Sequence, residues 1–241
     1  MSDWLQVLRA GARDLDITVT AEQEKLFARY LELLLARNAQ VNLTAITDPV
    51  EVAAKHFADA LTVETVWQPR SGARAIDIGT GAGIPGIPLA IMHPQVEFVL
   101  NDSTRKKVDF LAEVAAALPL PNVRPLWTRA EELGRHAAHR GKYHFAFARA
   151  VAHLGVLIEY ALPLLAPGGL LIAMKGPAGE AEIAQSRPAL QALCGAVDQV
   201  RRLSVAGAGE RLLIAIRATS PAPAGYPRDA GVMKKRPDAL G

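Results

Sequence analysis

The segment from Asp77 to Gly86 combines an acidic residue with closely spaced glycines, a composition that suits ligand binding. It follows a short apolar run and reads Asp77-Ile78-Gly79-Thr80-Gly81-Ala82-Gly83-Ile84-Pro85-Gly86. Glycines let the backbone approach a ligand closely and adopt positive φ angles. In open parallel sheets, ligands bind beyond the carboxyl ends of the strands. The segment therefore predicts a small-molecule site at a turn between a strand and a helix.

Two kinds of cofactor fit this loop at the level of sequence. The stretch from Gly81 to Gly86 matches the G-x-G-x-x-G pattern of dinucleotide-binding proteins. The longer string that begins at Asp77 resembles the first motif of class I methyltransferases. Asp102 ends the next predicted strand, where a carboxylate can hold the ribose hydroxyls of either NAD or S-adenosylmethionine, or cap a helix that starts at Ser103.

The order of elements along the chain favours a methyltransferase. After Gly72, short apolar runs alternate with helical patterns, which predicts a mostly parallel sheet covered on both faces. We expect an α/β, Rossmann-like class I methyltransferase fold with a seven-stranded, mostly parallel sheet and an antiparallel last strand. The predicted strands are 74–78, 97–100, 123–127, 143–148, 170–174, 199–205 and 212–217, and the helical patterns lie near 85–93, 103–117, 130–139, 154–165 and 178–194.

Three segments are expected along the chain. Residues 1–70 form an N-terminal helical extension, residues 71–219 the cofactor-binding domain, and residues 220–241 a basic, proline-rich tail without regular structure. Two start signals support helices in the extension. They are a capping box at Thr20-Ala21-Glu22-Gln23 and the cap Asp48-Pro49-Val50-Glu51.

Several short motifs, taken in their order, resemble the GidB/RsmG family (glucose-inhibited division protein B). That family comprises the guanine-N7 methyltransferases of bacterial small-subunit ribosomal RNA. The resemblance covers about residues 42–235. Four positions depart from the family pattern: Ile84 stands where a larger residue is usual, Ala60 where serine is usual, Met233 where proline is usual and Asp238 where leucine is usual. The matching pieces are Asn42-Leu43-Thr44, Lys55-His56 with Asp59, Asp77–Pro88, Asp102–Lys107 with Phe110-Leu111, Arg149-Ala150, Lys175-Gly176, and Tyr226-Pro227-Arg228 with Gly231 and Lys235.

The resemblance implies an enzyme that uses S-adenosyl-L-methionine to methylate N7 of a guanine, guanine 527, in 16S ribosomal RNA. Its partner would be that RNA or a precursor of the small ribosomal subunit. Within the cofactor site, Asp102 would hold the ribose and Arg149 would face the pocket from the end of the fourth strand. The cofactor-binding residues implied are Gly79, Thr80, Gly81, Ile84, Asp102, Ser103, Thr104, Ala130, Glu131 and Arg149.

Cationic side chains around the same edge suggest an RNA-binding surface. We expect them to contact RNA phosphates. His56, however, lies beside Phe57 in a predicted helix, and a histidine in that setting is more often structural. Arg105, Lys106 and Lys107 read as a solvated helix face. Trp4 and Trp127 are candidates for stacking on bases, but a tryptophan in a strand is expected to lie in the core. The candidate substrate-binding residues are His56, Arg149, Lys175, Arg228 and Lys235.

Guanine N7 carries no proton, so methyl transfer to it needs alignment and a suitable electrostatic environment rather than a general base. We therefore expect no catalytic side chain. The only cysteine, Cys194, lies in an apolar context and does not suggest the nucleophile that cytosine C5 methylation requires. Alternatives are a methyltransferase for another RNA or a small molecule, an NAD(P)-dependent oxidoreductase, and a non-catalytic RNA-binding protein.

Composition limits the setting but not the reaction. The net charge is +3, which is compatible with nucleic acid without requiring it. A single cysteine excludes an intrachain disulfide and disfavours a cysteine metal site. The start of the chain lacks a signal-peptide pattern, and no run of some 18 apolar residues occurs. We expect a cytoplasmic monomer without a metal.

Overall fold

A computed structural model describes residues 2–235 of the chain and shows a seven-stranded mixed sheet. The strands are β1 (Arg74–Ile78), β2 (Glu97–Asp102), β3 (Val123–Trp127), β4 (Tyr143–Arg149), β5 (Leu165–Lys175), β6 (Gly195–Val205) and β7 (Gly209–Ala218). Their order in the sheet is β3-β2-β1-β4-β5-β7-β6, and β7 runs antiparallel to both of its neighbours. The predicted fold class, with one antiparallel last strand, is confirmed.

The central strands are buried on both faces, which explains why they read as continuous apolar runs. In β1 every residue after Arg74 is buried, and in β2 every residue after Glu97 is buried. β6 lies at one edge and is mostly exposed. Helices cover the two faces of the sheet and form two apolar clusters, one around Trp67 and Phe147 and the other around Tyr143.

The helices of the sheet domain follow the predicted positions with two differences. They are α5 (Gly86–Met92), α6 (Arg105–Ala117), α7 (Ala130–Leu133), α8 (Leu154–Ala161), α9 (Gly179–Gln185) and α10 (Arg187–Ala192). The pattern near 130–139 yields only the short α7, followed by turns. The pattern near 178–194 is divided at Ser186, because Pro188 is accepted only in the first turn of a new helix.

The N-terminal helices pack against the same core as one face of the sheet. They are α1 (Asp3–Arg13), α2 (Ala21–Asn38) and a continuous helical segment made of α3 (Pro49–Val52), a π-helical turn (Ala53–Ala58), α4 (Asp59–Leu61) and a 3₁₀ turn (Thr62–Thr65). The capping box at Thr20 and the Asp48 cap both form as predicted. Phe27 and Phe57 from these helices join Trp67 and Phe147 in one cluster.

The C-terminal tail follows a fixed path over α7 and α8. Arg140 donates hydrogen bonds of 2.6–2.8 Å to the carbonyl oxygens of Ala222, Pro223 and Tyr226. The described part of the tail includes a short helix, α11 (Ala230–Lys235), so the prediction of no regular structure is wrong for these residues. Within residues 2–235 no helix is both long and apolar enough to cross a membrane.

Candidate cofactor site

The glycine loop between β1 and α5 leaves one position open towards solvent. Gly81 and Gly83 have φ angles of 62° and 98°, in the region that favours glycine. A side chain at Gly83 would come within 2.6 Å of Ile87, so that glycine serves packing. A Cβ at Gly81 would meet nothing nearer than a backbone oxygen at 4.0 Å. Gly81 is therefore the place where a ligand can approach the backbone.

The carboxylate of Asp102 lies directly against this loop. One oxygen accepts a hydrogen bond of 3.0 Å from the amide of Gly81, and the other accepts one of 2.8 Å from the amide of Thr104. The residue is 5% exposed, and the Lys107 ammonium lies 3.8 Å from its carboxylate. Helix α6 begins at Arg105 rather than at Ser103, so the proposed helix start was two residues early. The carboxylate therefore faces the loop rather than capping a helix from Ser103.

Asp77, at the end of β1, holds the loop from beneath. One of its oxygens accepts hydrogen bonds from the Thr80 hydroxyl at 2.5 Å and from the Gly86 amide at 2.8 Å. Its other oxygen is buried without a hydrogen-bond partner among the residues that the structure describes. Complete burial raises the pKa of Asp77 to about 7. Thr80, a predicted cofactor residue, thus contributes through this carboxylate, and its own side chain is buried.

Four further predicted cofactor residues follow the carboxyl ends of β2 and β3. Ser103 and Thr104 come directly after Asp102, and Ala130 and Glu131 begin α7, just after β3. Glu131 is 9% exposed, and the guanidinium of Arg129 lies 3.7 Å from its carboxylate. Ser103 and Thr104 are exposed at the rim. The structure brings these predicted residues to the same edge as Gly79 and Gly81. Ile84 differs, since it is buried in the core under the loop.

Arg149 ends β4, as predicted, but its guanidinium is hydrogen-bonded within the protein, to Lys55 in the π-helical turn and to Asp59 directly after that turn. It donates hydrogen bonds to the carbonyl oxygen of Lys55 at 2.9 Å and to the Asp59 carboxylate at 3.0 Å. The other Asp59 oxygen accepts from Arg211 at 2.6 Å. Asp59 is 1% exposed. Two arginines thus neutralise one buried carboxylate, and this network joins the N-terminal helices to the sheet.

His56 belongs to the same network. Its Nε2 lies 2.8 Å from the Thr44 hydroxyl, and its Nδ1 lies 3.0 Å from the Lys55 carbonyl oxygen and 3.2 Å from an Arg149 nitrogen. Burial, reinforced by the charge of Arg149, lowers the pKa of His56 to about 4. The ring is neutral near pH 7, and its position does not support a contact with RNA phosphates.

Two of the other predicted RNA-binding cations, Lys175 and Arg228, have internal partners. The Lys175 ammonium donates to the Ala152 carbonyl oxygen at 2.6 Å and to the Glu182 carboxylate at 2.8 Å. Arg228 forms several hydrogen bonds to Glu159, including one of 2.7 Å from its backbone amide. Glu159 is completely buried. These ion pairs fix the tail and the end of β5, and the side chain of Lys235 lies outside what the structure describes.

Two contacts of the loop carry no local sequence signal. The Tyr30 hydroxyl, on α2, donates a hydrogen bond of 2.6 Å to the carbonyl oxygen of Ala82. Val151, just after β4, lies where a side chain at Gly79 would come within 2.8 Å of it. Both contacts join residues far apart in the chain, so spacing alone does not reveal them.

The chemistry of the loop suits a cationic ligand better than a pyrophosphate. The Gly81 amide is bonded to Asp102, the Gly86 amide to Asp77, and the Ile87 amide to the Gly83 carbonyl oxygen. These amides are therefore directed to internal acceptors rather than to an anion. The carboxylate of Asp102, which lies against the open face of the loop, favours positive charge. Among the residues that the structure describes, no group of three or more acidic, histidine or cysteine residues is arranged to hold a metal.

Solved structures share this architecture. A variant of the 16S rRNA (adenine(1408)-N(1))-methyltransferase from Catenulisporales acidiphilia aligns with a TM-score of 0.54 and 19% identity, over 64% of this chain and 88% of that chain. A SAM-dependent methyltransferase from Aquifex aeolicus aligns with a TM-score of 0.51 and 19% identity, over 70% of this chain and 94% of that chain. At these identities the likeness establishes the fold.

Sequence comparison is more specific. The family model described as rRNA small subunit methyltransferase G matches residues 23–213. Ribosomal RNA small subunit methyltransferase G of Pelotomaculum thermopropionicum is 42% identical over 238 residues, which cover 98% of this chain and 100% of that protein. The protein of the same name from Deinococcus radiodurans is 44% identical over 233 residues, covering 96% of this chain and 92% of that protein. The chain therefore belongs to the rRNA small subunit methyltransferase G family.

Proposed function

We propose that this protein transfers a methyl group from S-adenosyl-L-methionine to small-subunit ribosomal RNA, at N7 of a guanine. Family membership supports the reaction class and the RNA. The observation that carries the cofactor assignment is the Asp102 carboxylate, held 3.0 Å from the amide of Gly81 at the open face of the glycine loop. A related fold, the adenine-N1 methyltransferase from Catenulisporales acidiphilia, has been solved with SAM, at a TM-score of 0.51.

Different residues at this edge would contact different parts of the cofactor. Asp102 has further lone pairs for ribose hydroxyls and needs no rearrangement to reach the loop. Ala130 and Glu131, at the start of α7 just after β3, would contact the adenine. Gly79 and Gly81 provide backbone without side chains for the methionine part. When bound, the cofactor supplies an activated methyl group on a sulfonium, and the acidic residues of the site favour that positive charge.

The site needs no general base under this proposal. An in-plane lone pair of guanine N7 is available without loss of a proton, so the protein's task is to align the nucleophile with the methyl group. Asp77 is buried beneath the loop, and His56 is buried in its own hydrogen-bond network. We assign both residues to holding the site in shape rather than to proton transfer.

Transfer of a tritiated methyl group, followed by mass mapping of the modified nucleotide, tests this function. We expect label on a guanine of unmethylated 16S ribosomal RNA, with the added mass at N7. Free RNA and small-subunit precursor particles are compared as substrates in parallel. Label at the exocyclic N2 of guanine or N6 of adenine would overturn the proposed position. Label on small molecules but not on either form of the RNA would overturn the function.

The same proposal includes the setting of the reaction. We propose that the protein acts as a monomer in the cytoplasm, where ribosomal RNA of the proposed kind is modified. Light scattering at the concentrations used for methyl transfer checks the first point, and a stable dimer would contradict it.

A further inference from the structure

Trp127 is the exposed aromatic side chain next to the candidate cofactor site. It is the last residue of β3. The sequence predicts a core position for it, and that prediction is wrong because the residue is 54% exposed. β3 is an edge strand, so one of its sides lacks a neighbouring strand. The other exposed large apolar residues in residues 2–235 are valines. Tryptophan is highly buried on average and is enriched at binding interfaces.

The indole is held in one orientation rather than free. Its Nε1 donates a hydrogen bond of 3.0 Å to the carbonyl oxygen of Ser103. The guanidinium of Arg105 lies over the ring, 5.1 Å from its centroid. Trp127 is also the register partner of Asp102 in the parallel pairing of β2 with β3. The ring is therefore preorganised at the rim of the candidate site, close to Ser103.

The charge around the ring is positive in an unusual place. The first turn of α6 carries Arg105, Lys106 and Lys107 and no acidic residue. A helix N-terminus favours acidic side chains, so three cations there oppose the helix dipole and concentrate positive potential. Arg105 is paired with Asp109 at 2.8 Å and Lys107 lies near Asp102, whereas Lys106 is exposed and makes no ion pair within the described residues. Arg129, two residues after the indole, has a side chain that is 64% exposed.

We propose that Trp127 and Arg105 form a stacking platform for an unpaired nucleobase of the RNA substrate, with Lys106 and Arg129 receiving the adjacent phosphates. An aromatic ring beside a guanidinium binds the face of any base, and neighbouring cations attract the backbone. The inference deepens the proposed function and rests on it. It also supplies an RNA contact at this edge, where Arg149, Lys175 and Arg228 are occupied by internal partners.

The adenine of the cofactor is the competing occupant of this surface. The candidate cofactor residues Asp102 and Glu131 are 5% and 9% exposed, whereas Trp127 is 54% exposed. The guanidinium above the ring also faces solvent, because the Arg105 side chain is 63% exposed. An outward ring with a cationic cover fits a base that arrives with its phosphates. The platform is therefore assigned to RNA.

Affinity measurements with unmethylated 16S ribosomal RNA, made by in vitro transcription, test the platform. We expect Trp127→Leu to weaken RNA binding about tenfold or more, because stacking of a base on an aromatic ring is lost. Trp127→Phe should recover part of this loss, and binding of wild-type protein to RNA should quench tryptophan fluorescence. Arg105→Gln should weaken RNA binding, and Lys106→Gln should lower the slope of its salt dependence by about one phosphate contact. Arg29→Gln removes an ion-paired arginine on α2 whose side chain is 53% exposed; it is the control and should change neither.

Affinity for S-adenosylmethionine is measured on the same variants by calorimetry and should stay within about twofold of wild type. Unchanged RNA affinity in Trp127→Leu would overturn the platform. A loss of cofactor affinity without a loss of RNA affinity would also overturn it and would assign the ring to adenine. Methyl transfer by the wild-type protein is followed in parallel. Failure of that transfer, with RNA binding that still depends on Trp127, would overturn the proposed function alone.

Discussion

The hydroxyl of Tyr30 on α2 donates a hydrogen bond of 2.6 Å to the carbonyl oxygen of Ala82 in the glycine loop. Both groups are buried, and burial raises the pKa of the Tyr30 hydroxyl, which keeps it a donor. The N-terminal helices thus fix the loop that is proposed to bind the cofactor. Their contribution to the site is mechanical, through this bond and through the shared core.

Replacing Tyr30 tests that connection. Tyr30→Phe leaves the buried Ala82 carbonyl oxygen without this donor, which should cost about 2 kcal/mol of unfolding free energy. S-adenosylmethionine should bind severalfold more weakly, because the loop is less firmly held. Urea unfolding and calorimetry measure the two effects. Tyr143→Phe removes a phenol hydroxyl at the opposite end of the sheet and should leave cofactor affinity unchanged; equal cofactor affinities in Tyr30→Phe and wild type would contradict the connection.

The Arg228–Glu159 ion pair predicts a structural role for Arg228, whereas the sequence predicts a contact with RNA. Arg228→Ala leaves a buried Glu159 carboxylate with fewer partners and should destabilise the protein by about 3 kcal/mol. The salt dependence of RNA binding should hardly change, because Arg228 is engaged inside the protein. Thermal unfolding is the measurement, with Arg202→Ala as a control that removes an exposed ion pair to Glu180 and should cost less than about 1 kcal/mol. If Arg228→Ala weakened the salt dependence of RNA binding and left stability unchanged, Arg228 would be an RNA contact instead.

Asp77 should make stability fall as the pH rises. Its pKa is about 7 in the folded protein against an ordinary value of 3.8, so the folded state keeps its proton to a higher pH than the unfolded chain does. Its contribution is therefore greatest in acid and is lost between about pH 4 and pH 7. Asp77→Asn removes this dependence, so the variant should gain up to about 4 kcal/mol relative to wild type across that window. Parallel unfolding curves for the two proteins at every pH would show that the carboxyl group is not held neutral.

His56 should act in the opposite direction. Its pKa is about 4 in the folded protein against an ordinary value of 6.5, so the unfolded chain takes up the proton first. The stability that depends on the neutral ring is present above pH 6.5 and is lost as the pH falls towards 4. His56→Gln should lose this acid sensitivity, a difference of up to about 3 kcal/mol in denaturant unfolding between pH 7 and pH 4.5. If His56→Gln kept the acid sensitivity, His56 would not be its source, and the ring would take up its proton in contact with solvent.

Local signals in the sequence predicted much of the fold. All seven strands were found, because buried parallel strands are continuous apolar runs and the last two are joined by a glycine-rich turn. The caps at Thr20 and Asp48 were also found, since each uses residues within three positions of one another. The π-helical turn at Ala53–Ala58 and the helix in the tail were missed, because packing rather than spacing decides them.

The candidate site was predicted in its position but not in its electrostatics. Asp102 and the glycines could be placed together because adjacent strands end at one edge of the sheet. The partners of Arg149 and Arg228 lie 90 and 69 residues away, and no local pattern indicates them. Trp127 was misjudged because a strand assignment does not tell an edge strand from a central one. Pairing over long distances is the part that required the structure.

Calorimetric titration of the wild-type protein and Asp102→Ala with S-adenosylmethionine and with NADH tests the central claim most directly. The wild type should bind S-adenosylmethionine and not NADH, and Asp102→Ala should bind it more weakly by about 1.5–3 kcal/mol, the range of hydrogen bonds to charged groups. Asp198→Asn, which removes a carboxylate paired with Arg217 on β6 and β7, should bind as the wild type does. Equal affinities for wild type and Asp102→Ala, or binding of NADH in place of S-adenosylmethionine, would contradict the assignment of this loop to a methyl donor.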